Sequence, residues 1–435
     1  MRIVLIIPGS GGAFYCQNCL RDADLARALR QQGHDAFVAP LYLPLAPGEA
    51  APAFYRAVTL YLRHRYPRLM RWIPAALGQW LDSPAVLRFA SHLAGSTRAK
   101  GLGDLTLSML QGEQGQQAEE LERLVAWLRD DFGARPDVVV LSNALLLGLA
   151  RRIRAELGVP VVCWLQDEDV WADALPPDEA RRVWQELRAR VADVNGFVAV
   201  SRYYARRMAE ALALPPNRIR VIHVGVDPEA MPAPDLTQRP RVVGFLSRLA
   251  EGEGFGLFVE AFLALHRDPR FADVRLKATG GGTDRQYVQR QLRRLRAAGL
   301  ADLVEILPKA FRDDRAAFFH SLTLLSSPVP EGEAFGTYTI ETMAAGVPVV
   351  EPPVGAYPEI FQEAGCGVLS AAATAEALAV AWGALLEDPA RLANESARGR
   401  EAVRRYFNLN RMARETVGLY EELTGRANTG NKVQG

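Results

Sequence analysis

The sequence predicts an α/β protein built from two doubly wound parallel-sheet domains in series. Three observations carry that expectation. Short apolar runs alternate with segments whose apolar residues recur at three- and four-residue spacing, such as Leu20–Leu29 and Leu121–Leu128. The runs are continuous in Val, Ile and Leu rather than alternating with polar residues. Their strands are therefore buried on both faces, as in a parallel sheet covered by helices on each side. The rhythm stops at a proline-rich stretch, Asp227-Pro228-Glu229-Ala230-Met231-Pro232-Ala233-Pro234, and then restarts.

In chain order, the first six strand candidates are Arg2–Pro8, His34–Leu43, Asp137–Ser142, Pro160–Leu165, Gly196–Ser201 and Ile219–Gly225. The second six are Arg241–Ser247, Val274–Gly280, Val304–Pro308, Leu322–Pro328, Pro348–Pro353 and Gly367–Leu369. This divides the chain into a first domain over residues 1–230, a second over 240–400, C-terminal helices over 401–423 and a polar, disordered tail over 425–435. One segment breaks the pattern. Between about residues 45 and 117 there is no strand, where a βα connection normally takes a handful of residues. It reads as a helical insertion in the first domain.

The 435 residues carry a formal net charge of +1, with 23% charged and 49% hydrophobic residues. That is a globular composition. It excludes a disordered chain, a collagen-like repeat and a coiled coil, and it argues against a nucleic-acid partner held by overall charge. The even balance is an average over unlike parts. Residues 51–100 hold Arg56, Arg63, Arg65, Arg68, Arg71, Arg88, Arg98 and Lys100 against the single acid Asp82, with aromatic residues interleaved. This segment reads either as an acceptor site or contact with anionic membrane lipid, or as a helical cap with a solvated basic face. The apolar run Ile3–Ile7 is too short for a secretory signal, and no stretch reaches the length of a membrane span. The expected place is the cytoplasm, with a peripheral position at the inner face of the membrane as the variant the basic segment suggests. Cys16 and Cys19 form a C-x-x-C pair with no second pair to complete a zinc site, so they read chiefly as small packing residues.

Ligands of open parallel sheets bind at the carboxyl ends of the strands. The first strand ends in Pro8-Gly9-Ser10-Gly11-Gly12, whose bare amides before a helix suit a phosphate. The second domain carries Glu333-Ala334-Phe335-Gly336-Thr337-Tyr338-Thr339-Ile340-Glu341, followed by Thr342-Met343-Ala344-Ala345-Gly346-Val347-Pro348-Val349-Val350. Glu333 lies on a loop and Glu341 one to two turns into a helix that begins near Gly336. The positive end of that helix lies between the two carboxylates. Such an arrangement suits a diphosphate flanked by two hydroxylated ends, as in a nucleotide sugar.

The stretch EAFGTYTIETMAAGVPVV, with PVGAYPEI after it, resembles the retaining glycosyltransferases of the GT-B fold, and more narrowly the bacterial group 1, family 4-like enzymes. GFLSRLAEGEGFGLFVEAF, VRLKATGGG, VIHVGVD and GSGG followed by ALRQQGHDAFV agree with it in order. The resemblance spans nearly the whole chain apart from the insertion and the tail. It implies two Rossmann-like domains facing a cleft, with the C-terminal helices returning to the first. It also implies roles. Glu333 would bind the donor's sugar hydroxyls. Phe335, Gly336 and Thr337 would offer amides to the sugar and distal phosphate, and Glu341 would hold the ribose. Arg248 would pair with the diphosphate, which Gly11 and Gly12 would face from the first domain. Glu333, Arg248 and Asp167 would be the catalytic candidates. Gln166, Asp167 and Asn143 would lie on the acceptor side.

Two positions depart from the family pattern. The family's lysine falls at Glu253, where a carboxylate would oppose a diphosphate by ~4 kcal/mol at ~4 Å and an effective dielectric of 20. Either Glu253 points away, or Lys277 or Lys309 substitutes, or Mg²⁺ bridges. The family's acceptor-side histidine falls at Gln166, which cannot take a proton. The resemblance implies no resident cofactor and no metal ligands. The nucleotide sugar is a substrate, and the leaving diphosphate itself would accept the acceptor's proton on the same face of the sugar. A sugar-nucleotide epimerase, hydrolase or phosphorylase of the same fold, or a non-catalytic sugar-nucleotide-binding subunit, stands as the alternative. The base, the sugar and the acceptor are left open.

Overall fold

A computed structural model describes residues 1–9, 17–42, 102–230, 240–281, 284–307 and 312–426 of the chain. The basic segment 51–100, most of the insertion, Cys16, Gly11, Gly12, Lys309 and residues 427–435 lie outside the described residues. The chain divides into two compact units. The first comprises Met1–Val200, Tyr204–Ile222 and Met412–Gly435; the second comprises Ser201–Tyr203 and His223–Arg411. The division thus falls at Ile222, ahead of the proline-rich stretch.

The first unit is a six-stranded sheet of β1 (Arg2–Ile7), β2 (Asp35–Pro40), β3 (Val138–Leu141), β4 (Val161–Leu165), β5 (Gly196–Ala199) and β6 (Ile219–Val221). Its order is β2-β1-β3-β4-β5-β6, and every pairing is parallel. β3, β4 and β5 are buried along their whole length. That is what their unbroken apolar runs require, since helices cover both faces. The helix Gln17–Gln31 connects β1 to β2, and the helix Gly103–Gln111 occupies the described end of the insertion. The last helix, Leu409–Thr424, begins in the second unit and from Met412 onward belongs to the first.

The second unit holds β7 (Val242–Leu246), β8 (Arg275–Thr279), β9 (Val304–Ile306), β10 (Leu324–Leu325), β11 (Val350–Glu351) and β12 (Val368–Leu369). β10-β7-β8-β9 form one parallel sheet and β11-β12 a parallel pair. A parallel bridge from Leu325 to Val349 joins the two into the order β9-β8-β7-β10-β11-β12. The helix Phe255–Leu265 buries Phe255, Phe258 and Phe262 completely, and Phe258 meets the buried Trp382 at 5.2 Å between ring centroids. Each such ring contributes roughly 1.5–3 kcal/mol by leaving water. All twelve strands fall on the apolar runs read from the sequence.

In each sheet the order reverses once: beside β1 and β3 in the first unit, and beside β7 and β10 in the second. Loops leaving adjacent strands part at such a point and open a crevice at their carboxyl ends. These two reversals locate the candidate sites.

Candidate functional site

In the second unit the loops after β7 and β10 meet at the reversal. The β7 exit carries Arg248 and Glu253. The side chains form an ion pair, with Nη2 and Oε1 2.5 Å apart. Arg248 is half exposed and Glu253 largely covered. Burial pushes the Glu253 carboxyl above the ordinary carboxylate range, against the pull of Arg248. Glu253 is flanked by Gly252 and Gly254, both left-handed, with φ of +84° and +88°. At Gly254 a Cβ would also sit 2.5 Å from the Pro328 carbonyl oxygen, so only glycine lets the β7 and β10 exit loops come this close. The carboxylate turns toward Arg248 and pairs with it. Lys277 is engaged elsewhere. It pairs with Glu305 at 3.1 Å, across the register of β8 and β9, within the sheet.

The β10 exit leads to Glu333 and then to the helix Thr337–Ala344, capped by Gly336 in a left-handed conformation at φ +74°. Phe335 is fully buried. Glu341 stands in the second turn and is ion-paired with Arg315, whose side chain is 5% exposed. Arg315 belongs to the helix Arg312–His320 and has no counterpart in the sequence reading. It holds the carboxylate in place and balances its charge, leaving Glu341 16% exposed.

Beneath Glu333 lies a second carboxylate, Glu351, at the end of β11. It is completely buried, and one of its oxygens accepts the Ser327 amide at 2.8 Å. Burial first, and then the charge of Glu333, push its carboxyl well above the ordinary range. The hydroxyls of Tyr338 and Tyr357 lie 2.5 Å apart and both reach the Ser327 carbonyl, at 3.2 and 3.1 Å. Ser327 is thus gripped through both its amide and its carbonyl, which fixes the start of the loop that carries Glu333. The Glu333 carbonyl in turn accepts the Ala356 amide at 3.1 Å.

In the first unit, the β4 exit carries Gln166 and Asp167. Gln166 is turned into the core. Its side chain is 1% exposed, its carbonyl oxygen accepts from Arg21 at 2.8 Å, and its amide reaches Gln17 at 3.3 Å. Arg21 is itself buried, bonded to Asp22 and the Ser142 carbonyl and stacked on Trp164. Gln166 is the neutral partner that lets this arginine be satisfied in the core. Asn143, at the β3 exit, accepts the Leu145 amide at 3.1 Å and caps the 3-10 segment Ala144–Leu149. Asp167 adopts φ +65°, one of two left-handed non-glycine residues among the described residues. An L-residue held there is strained, and such strain concentrates at functional sites. Cys19, the described member of the C-x-x-C pair, is buried. Among the described residues no group of acidic, histidine or cysteine side chains could hold a metal ion, and no helix is long and apolar enough to cross a membrane.

Two family models match the chain: "Glycosyl transferases group 1" over residues 240–388 and "Glycosyltransferase Family 4" over residues 109–230. The D-inositol 3-phosphate glycosyltransferase of Salinispora tropica is 29% identical over 297 residues, covering 62% of this chain and 61% of that protein. The phosphatidyl-myo-inositol mannosyltransferase of Mycobacterium leprae is 31% identical over 258 residues, covering 58% and 63%. The chain therefore spans about three fifths of the length of these curated relatives. The crystal structure of Anabaena HepE in complex with UDP aligns with a TM-score of 0.68 at 16% identity, covering 97% of this chain and 100% of that one. At that identity the likeness speaks for the fold, which is GT-B. The chain belongs to the group 1, family 4-type glycosyltransferases.

Proposed function

We propose that this protein is a retaining hexosyltransferase that moves a sugar from a nucleotide-diphosphate sugar to a sugar, lipid or small-molecule acceptor. The observation that carries the reading is the β10 exit of the second unit. There Glu333 and Glu341 flank the start of a helix at the sheet's reversal, within the span that matches the group 1 family. In this reading Glu333 takes the sugar hydroxyls, Phe335, Gly336 and Thr337 supply amides, and Glu341, steadied by Arg315, takes the ribose. Arg248 exchanges Glu253 for the donor's diphosphate. The bond from the sugar's anomeric carbon to the phosphate oxygen breaks, and one to the acceptor oxygen forms on the same face. The acceptor's proton passes to the departing phosphate oxygen. The protein's share is positioning and stabilisation of the charge that develops on the leaving group. The chemistry as written uses no resident cofactor.

The two inositol-directed relatives favour a glycolipid or cell-envelope acceptor, and the basic segment 51–100 favours a peripheral place on an anionic membrane. Calorimetry with UDP-, GDP- and ADP-sugars, with and without Mg²⁺, tests the donor reading; absence of binding by every one of them defeats it. Turnover of donor without acceptor would replace transfer by hydrolysis. The anomeric configuration of the product, read by NMR, decides retention. Flotation on phosphatidylglycerol vesicles, with and without residues 51–100, tests the membrane contact, and equal partitioning refutes it.

A further inference from the structure

We propose that Tyr204 is a positioning residue: its hydroxyl bridges a Glu168 that carries a proton and the carboxylate of Asp169, and so holds the turn that keeps Asp167 left-handed at the β4 exit. The inference rests on the glycosyltransfer reading above through Asp167, the acceptor-side carboxylate.

Proton counting leads to it. The Tyr204 oxygen lies 2.8 Å from Glu168 Oε2 and 2.8 Å from Asp169 Oδ1. It also accepts the Glu168 backbone amide at 2.9 Å, with the Asp169 amide at 3.5 Å. A phenol has one proton to give. It can satisfy one of the two carboxyl oxygens, and the other contact is a hydrogen bond only if that carboxyl brings a proton of its own. Asp169 is ion-paired with Arg207. Glu168 is 1% exposed and has no cation partner in that set. Its other oxygen accepts the Ala144 amide at 2.9 Å. The extra proton therefore sits on Glu168. The charged and titratable groups around it agree: Asp167, Asp169, Tyr204 and the buried Cys163 thiol offer it no positive charge, and burial pushes its carboxyl above the ordinary range. The phenol oxygen then gives one hydrogen bond, to Asp169, and accepts those of the Glu168 amide and carboxyl, with the Asp169 amide at the edge of hydrogen-bond reach.

The geometry has a mechanical result. Glu168 and Asp169 follow Asp167 directly, and the short helix they open, Glu168–Asp173, uses Asp167 as its cap. Both side chains and the Glu168 amide are tied to one atom on the helix Arg202–Ala211. With the chain fixed immediately after it, and β4 fixed before it, Asp167 has no room to relax from φ +65°.

The test uses the full chain. Hydrogen exchange of the peptide around residues 163–175 reads the latch directly. Tyr204→Phe should exchange there on the order of tenfold faster, the worth of one buried hydrogen bond, while peptides of the second unit stay as in wild type. Glu168→Gln, whose amide N–H can donate where the carboxyl proton did, should keep the protection. Raising the pH should loosen this peptide in wild type, as Glu168 ionises, and not in Glu168→Gln. Unchanged exchange in Tyr204→Phe, or Glu168→Gln exchanging like Tyr204→Phe, overturns the latch. In a transfer assay Tyr204→Phe should lower kcat by up to roughly a hundredfold, as for a misplaced group, with donor affinity unchanged. If the exchange results hold while kcat does not move, the latch exists but Asp167 is not what it positions, and the proposal fails at that link. If wild type binds no sugar nucleotide, the function reading fails by itself.

Discussion

Replacing Glu253 by glutamine should tighten donor binding. The carboxylate is paired with Arg248 at 2.5 Å, so a diphosphate that recruits Arg248 arrives within about 6 Å of a like charge. At that separation and an effective dielectric of 20, the repulsion is about 3 kcal/mol per unit charge. Arg248 is half exposed, so solvent screening reduces the net effect to about 1–2 kcal/mol, or roughly a tenfold change in affinity. The pH dependence carries the same information. Because burial raises the Glu253 carboxyl above its ordinary value, wild type should bind donor more tightly as the pH falls through that raised value and Glu253 becomes neutral. The donor diphosphate keeps its own charge through this range. The glutamine variant should bind about equally at every pH. Calorimetric titration with the preferred sugar nucleotide at several pH values reads both effects. Equal affinity of the two proteins, or weaker binding by Glu253→Gln, would refute the placement of the diphosphate beside Arg248.

Glu341→Ala should weaken donor binding and also lower stability, by up to about 3–5 kcal/mol, because the buried Arg315 loses this ion pair; urea unfolding separates the two losses. Glu341→Gln, which keeps an acceptor for Arg315, should lose less stability and still bind donor poorly. Burial holds the folded-state pKa of Glu351 well above the ordinary carboxylate range, so its contribution is complete below that ordinary range and is lost as pH rises through the raised value. The melting temperature of Glu351→Gln relative to wild type should therefore climb from mildly acidic to alkaline pH, and parallel curves would mean that Glu351 is ionised in the native state.

The fold was legible because its strands are buried on both faces. A strand such as Val161–Leu165 has no polar side to interrupt its apolar run, and several runs end at a serine or glycine that begins a loop, as at Ser142, Ser201, Ser247 and Gly280. The donor-side glutamates were legible for a related reason, since their spacing is fixed by one short helix. What stayed hidden depends on contacts between distant segments. Arg315 lies 26 positions before Glu341, in a helix without any motif. Glu253 looked like a conflict with the diphosphate because its neighbour Arg248 was taken as free. Gly252 and Gly254 on either side of it were the available signal that the loop doubles back. Spacing alone does not say whether the acidic run Asp167-Glu168-Asp169 is solvated or enclosed; Glu168 is 1% exposed and shares a phenol with Asp169. Only the position of Tyr204, 36 residues later, distinguishes the two cases.

The return of the last helix to the first unit limits how this chain can be taken apart. Met412, Ala413 and Tyr420 are wholly buried, and Arg426 reaches Asp137 at 2.7 Å. A fragment ending at Ile222 would lack the residues that complete its own core, so the first unit is not a portable cassette. A chimera that exchanges the first unit between relatives has to carry residues 1–222 and the stretch from Met412 together. For the same reason, recombination at a single crossover near the proline-rich stretch would join two mismatched halves of one hydrophobic core.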